Sequence, residues 1–282
     1  MIGLDEWWAG GEHLPEGAFT RADGDLDAPA VTWLHGFPMS SWDWAKLHAA
    51  LGPGRRDVSL DFLGFGASEK PRRHDYSLLE QADLVVEAVW RAHRVTRTAL
   101  VAHDYGVSVA QELLARRGAG ELSVELTQAV FLNGGLFPAL HRPTRIQKLL
   151  AGPGGWLLAR QMRASTFVRN YREVLAQPPP DDELREHWRA FSRDDGHRNA
   201  HLLLGYMAER REHERRWVGA LIDADLPKCF IWGPEDPVSG AHVVHELRAR
   251  LPDARIEVLA SVGHAPHMEV PEQVAPLLAG VA

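Results

Sequence analysis

One cysteine in 282 residues leaves no room for a disulfide framework. That residue, Cys229, lies in the apolar run 228–232 and reads as a buried strand thiol in a reducing, cytoplasmic setting. No apolar run approaches the roughly 20 residues needed to span a bilayer. Segment 1–8, which ends in Trp7 and Trp8, has neither a basic n-region nor an apolar h-region, so no signal peptide is expected. The Trp7–Trp8 pair reads as a packing anchor. Positive charge is not in excess. A net charge of −7 provides no footprint for nucleic acid or an anionic membrane. The mixed-sign run 209–216 reads as a solvated helix face. Internal repeats and low-complexity segments are also missing. Tyrosine is scarce, with four in the chain, and this scarcity narrows the chemistry considered below.

What remains is an ordinary globular composition, 45% hydrophobic and 24% charged, long enough for one large core with an insertion. Strand-like apolar runs occur at 31–34, 57–60, 99–102, 129–132, 229–232 and 256–259, with helical stretches between most of them. That alternation predicts an α/β fold with a mostly parallel, doubly wound sheet and chemistry at the carboxyl ends of its strands. The rhythm breaks over 138–217, where Gly152-Pro153-Gly154-Gly155 and Pro178-Pro179-Pro180 punctuate helical segments. One of these is expected after Asp181 and Asp182, whose side chains would cap it. The expected organisation is core over 1–137, an all-helical cap over 138–217, and core again over 218–282.

The segment Ala102-His103-Asp104-Tyr105-Gly106 joins a strand-like run to a helical one. Small residues flank a central aspartate, as in a nucleophile elbow, where strand and helix backbones approach closely. The alternative for Asp104 is a simple helix cap. Further pieces fit the elbow. His35-Gly36-Phe37-Pro38 follows a strand and can aim the Phe37 N–H at the site, where it would form an oxyanion hole with the Tyr105 N–H. An acid, Asp236, follows the strand-like run 229–232, with Glu235 as a weaker competitor. His264 follows Gly263 after the last strand and is preferred to His267. The order nucleophile, acid, histidine suits a catalytic triad. The glycine-rich turn 61–68 lacks the third glycine of a dinucleotide fingerprint and is assigned a structural role.

These motifs resemble the epoxide hydrolase and haloalkane dehalogenase group of the α/β-hydrolases. Longer stretches, 102–114, 132–138 and 215–220, resemble its mesoderm-specific transcript subgroup. The resemblance covers nearly the whole chain and is weaker in the cap. It implies an α/β-hydrolase fold with Asp104, His264 and Asp236 as the triad.

An aspartate nucleophile selects the electrophile. Its attack on an ester would give an uphill mixed anhydride, whereas attack on an sp3 carbon gives an ordinary ester. The expected substrate is therefore a small apolar alkyl electrophile that is hydrolysed by water. For an epoxide the leaving alkoxide needs an acidic donor, and the resemblance points to cap tyrosines, with Tyr206 as principal and Tyr171 as second. For a haloalkane the halide needs N–H donors. Tyr105 and Phe37 stand where an indole and an asparagine would serve, which leaves Trp156 and Trp188 in the cap as candidates. Epoxide opening to a diol is the favoured reading, with haloalkane dehalogenation as its competitor. A hydrolase-fold receptor that binds a small ligand with little turnover is the alternative of another class. No cofactor or metal is expected. His197 and His201 share helical spacing, but no further ligand completes a site.

Overall fold

The computed structural model describes residues 2–281. Eight strands form one sheet: β1 (Glu12–His13), β2 (Phe19–Asp23), β3 (Ala30–Leu34), β4 (Arg56–Asp61), β5 (Arg97–Asp104), β6 (Glu125–Gly134), β7 (Lys228–Trp232) and β8 (Arg255–Val258). Their order is β1-β2-β4-β3-β5-β6-β7-β8. Strands β3 to β8 pair in parallel, as the six apolar runs predict. The first two strands add an antiparallel edge through β4. They carried no legible signal. β1 is two residues long, and β2, Phe-Thr-Arg-Ala-Asp, has neither an apolar run nor strict alternation.

The chain runs from β3 to β4 on one side and then crosses to β5 on the other. This reversal opens a crevice at the carboxyl ends of β3 and β5, where ligands bind in open α/β sheets. No residue of β3 or β4 is exposed, as expected for strands covered on both faces. Asp61 ties the loops at this end together. Its carboxylate accepts from the Ser41 N–H at 2.6 Å and the Ala67 N–H at 2.7 Å, so the 61–68 turn braces the loop after β3. Trp7 is buried and donates its indole N–H to Ser41 Oγ, fastening the N-terminal helix Leu4–Ala9 to the same loop.

Between β6 and β7 the described residues form only helices. The helix Asp181–Ser192 begins at Asp181 itself, preceded by Pro180. The two aspartates therefore lie in the first turn, where their charge favours the positive end of the helix dipole and Asp182 Oδ1 accepts the Glu183 N–H at 3.0 Å. The last helix of the insertion, Glu214–Asp223, crosses position 217 without interruption. It is fastened to the helix Tyr105–Gly118 by Glu112, whose carboxylate accepts from the Trp217 indole N–H at 2.7 Å and from Arg216. Among the described residues no helix is long and apolar enough to cross a membrane. Cys229 is buried in β7.

Backbones approach closely at the turn from β5 into the helix Tyr105–Gly118. A Cβ placed on Gly106 would stand 2.3 Å from the Leu34 carbonyl oxygen, a backbone atom that cannot yield, while one on Gly118 would meet nothing. Gly106→Ala should therefore cost about 3 kcal/mol of unfolding free energy or prevent folding. Gly118→Ala should be neutral or gain roughly 0.5 kcal/mol. Urea melts of the two variants check this, and equal stabilities would contradict it.

Candidate active site

Asp104 ends β5 and turns the chain directly into a helix. Its backbone adopts φ 45° and ψ −103°, a conformation L-residues rarely hold, and it makes no side-chain cap to the helix. The carboxylate is directed across the crevice, where Oδ1 accepts the Phe37 N–H at 2.9 Å. The Tyr105 N–H opens the helix and has no acceptor within it. Gly36 permits this approach, since a Cβ there would lie 2.8 Å from Asp104 Cβ. The His35 ring holds the loop. Its Nε2 accepts the Phe62 N–H at 3.0 Å, which leaves Nδ1 to donate to the Gly36 carbonyl at 2.9 Å.

His264 lies between two carboxylates. Its Nδ1 is 2.8 Å from Asp236 Oδ2, and its Nε2 is 3.5 Å from Asp104 Oδ2. Asp236 is 3% exposed and fully supplied with donors. The Val238 N–H, the Ser239 hydroxyl and the Asn133 amide all reach it. Asn133 also accepts from the Gly233 N–H and donates to its carbonyl, so it clamps the loop carrying the acid. This clamp depends on the β6–β7 pairing and is not local in the sequence. Glu235 is exposed and plays no part. His267 lies elsewhere, stacked 4.4 Å from the Trp44 ring and 3.3 Å from Asp43.

Burial opposes charge on all three groups, and the mutual ion pairing overcomes it. Burial raises the Asp104 pKa, but His264 and the Phe37 N–H hold it well below the usual carboxylate range. Asp236 is likewise brought down to about 2 by His264 and its hydrogen bonds. Burial lowers the His264 pKa, yet Asp236 and Asp104 together raise it well above the ordinary imidazole value. The resting array is carboxylate, imidazolium, carboxylate.

Behind His264, His103 donates from Nε2 to the His264 carbonyl at 2.9 Å. Asp43, His103 and His267 form the one grouping among the described residues with ligand atoms close enough to hold a metal. No such grouping forms at His197 and His201. The His197 ring packs at a tilt against Trp188, and His201 donates to the Arg198 carbonyl.

Over the crevice, a cavity of about 80 Å³ is lined by Phe37, Met162, Phe167, Tyr171, Phe191 and His264, among others. Tyr171 reaches it, buried, with its hydroxyl 3.7 Å from Met268 Sδ. Tyr206 is 1% exposed. Its ring meets those of Tyr105 (5.2 Å) and Phe37 (6.3 Å), and its hydroxyl has no hydrogen-bond partner. The two tryptophans do not fit the expectation. Trp156 is 51% exposed, presented outward by the short helix Gly155–Arg160. Trp188 packs behind the lining, against Phe167 and Phe191. On its helix, Leu184, His187 and Phe191 take the inward face, which leaves Trp188 at the border. The run 209–216 is a solvated face only in part, with Arg211, Glu212, Arg215 and Arg216 exposed. Arg210 is 1% exposed, Glu209 accepts from Ser77 and Leu78, and Arg216 pairs with Glu112. The mixed charges concealed a buried arginine beside the site.

Because both carboxylates raise the His264 pKa, removing one charge must lower it. Asp104→Asn, which neutralises that position as an ester would, should move the His264 NMR titration midpoint downward. An unchanged or higher midpoint would contradict the electrostatic account.

A profile of the alpha/beta hydrolase family matches residues 33–277. The chain is 41% identical over 276 residues to LipZ of Mycobacterium tuberculosis, which is named as a hydrolase, with 96% of this chain and 94% of that protein covered. It is 41% identical over 253 residues to the human mesoderm-specific transcript homolog protein, covering 86% of this chain and 75% of that one. In fold it matches a loop variant of the haloalkane dehalogenase DbeA from Bradyrhizobium elkanii, with TM-score 0.76, 21% identity, and 96% and 94% of the two chains covered. With its mostly parallel eight-stranded sheet and a family match spanning 33–277, the chain belongs to the alpha/beta hydrolase family.

Proposed function

We propose that the protein hydrolyses a small alkyl electrophile, an epoxide, to a diol through an ester of Asp104. The observation that carries this reading is a buried aspartate at the elbow, with the Phe37 N–H on one oxygen and His264 beside the other. Asp104 Oδ2 forms a bond to a ring carbon, the C–O bond of the ring breaks, and the alkoxide takes the Tyr206 proton. Tyr206 suits that task because its hydroxyl is buried, unspent, and close enough to Asp104 for that charge to raise its pKa, behind the larger effect of burial. Tyr171 is the second candidate, from the wall of the cavity.

Alkylation itself prepares the second step. Once Asp104 is an ester its charge is gone, and one of the two influences that keep His264 protonated goes with it. The imidazolium then gives up its proton more readily, returning the proton that Tyr206 lost or releasing it to solvent. Neutral His264, oriented by Asp236, deprotonates a water that attacks the Asp104 carbonyl carbon. The N–H groups of Phe37 and Tyr105 receive the oxyanion, and collapse releases the diol.

Dehalogenation is the weaker reading. Trp156 faces solvent and Trp188 packs behind Phe167 and Phe191, so the halide would lack the indole donors it needs.

His264→Gln should permit alkylation and block hydrolysis, so intact mass should show the enzyme plus one epoxide. In that background, adding Tyr206→Phe should slow adduct formation by roughly 10²–10³, the effect of one lost transition-state donor. No adduct from any epoxide, or an unchanged rate on adding Tyr206→Phe, would overturn the assignment.

A further inference from the structure

We propose that Arg210, assisted by His141, is an anion-recognition site beside Asp104, and that the substrate carries a carboxylate a few bonds from its electrophilic carbon. This proposal rests on the reading of Asp104 as nucleophile and adds the substrate class.

The placement is fixed by the backbone. Gly134 is the β6 partner of Asp104 across the sheet. The next residue, Gly135, lies directly against Arg210. A Cβ on Gly135 would fall 2.1 Å from the guanidinium carbon, so only glycine leaves room for that side chain. The guanidinium therefore packs on the backbone next to the register partner of Asp104. Tyr206, which touches both Phe37 and Tyr105, lies 5.1 Å from it on another side.

The chemistry of this arrangement is incomplete without an anion. Arg210 is 1% exposed and forms no ion pair among the described residues, and its Nε and Nη1 have no hydrogen-bond partner. A guanidinium stays charged at any pH the fold survives. Leaving it buried and unpaired costs several kcal/mol, of which the contact with the Tyr206 ring offsets at most about 2. The side chain is packed while its donors remain unspent. His141 follows the short helix Pro138–Leu140, which packs on the helix Tyr206–Glu212 that carries Arg210, and adds two ring nitrogens, also buried and without partners. The lowered His141 pKa, to about 3, leaves a neutral ring with one N–H to donate. A planar carboxylate matches the arginine fork in two parallel hydrogen bonds. A phosphate dianion, with its second negative charge, does not suit a site beside the Asp104 carboxylate. Arg210 would also offset the repulsion an organic acid meets on approaching Asp104.

The test compares an alkyl epoxy acid with its primary amide, which has the same shape and no charge. Without a cationic site, Asp104 would make the acid the poorer substrate. The wild-type enzyme should instead favour the acid in kcat/KM by about 10- to 100-fold, the effect of one charge-assisted pair. Arg210→Met should bring that ratio to one or below, and Arg210→Lys should keep part of it. In parallel, hexanoate should raise the Tm of the Asp104→Asn enzyme where hexanamide does not, and adding Arg210→Met should abolish the shift. Unliganded Arg210→Met should melt no lower than wild type, because a buried unpaired charge has been removed. A purely structural arginine would give a lower Tm. If Arg210→Met does not fold, the wild-type ratio and Arg210→Lys decide. Turnover of the amide equal to or better than the acid, with no hexanoate shift, overturns the anion site and leaves the Asp104 mechanism standing. A hexanoate shift that depends on Arg210, with neither epoxide consumed, supports the anion site and removes the epoxide reading.

Discussion

Two buried carboxylates share one imidazole, and most of the surrounding architecture serves that ionic array. Each charge would be untenable alone in so dry a place, since burial pushes all three groups toward neutrality. Together they stay charged, because Asp236 is saturated with donors from Asn133, Val238 and Ser239, and Asp104 accepts the Phe37 N–H. The strained backbone at Asp104 and the absence of side chains at Gly36 and Gly106 follow from the need to bring strand, loop and helix within reach of one carboxylate. Each array member contributes stability over its own range of pH. The depressed carboxylates stabilise the fold above about pH 4, a contribution lost as pH falls through their folded values. The raised imidazole stabilises it fully below about pH 6.5, and that contribution fades as pH climbs toward the folded His264 value. The array is therefore most stabilising in the window between.

The core was legible because its signals are local. Each apolar run became a strand of the parallel sheet, and Asp104, Asp236 and His264 each follow a strand end, where the fold must converge. His264 was separable from His267 by one adjacent glycine, and the geometry places only His264 between the carboxylates.

The helical insertion was legible in kind and not in detail. In short helices, which side chain faces the cavity depends on how neighbouring helices pack, and that information is not local. Trp156 and Trp188 have the right chemistry for a halide site, yet one faces solvent and the other lies behind the lining. Arg210 shows the reverse. Surrounded in sequence by Glu209, Arg211 and Glu212, it had the pattern of a wet surface, but its helix carries it to Gly135 at the end of β6. A buried ion can be recognised only when the group opposite it in space is known. Here that group is a glycine beside the register partner of Asp104.

If water attacks the enzyme's ester and not the substrate, the oxygen added to the product comes from Asp104. A single turnover with enzyme in excess in ¹⁸O-water separates the two routes. Attack on the ester should give unlabelled diol and one ¹⁸O in the peptide that contains Asp104. Labelled diol with an unlabelled Asp104 peptide would contradict it.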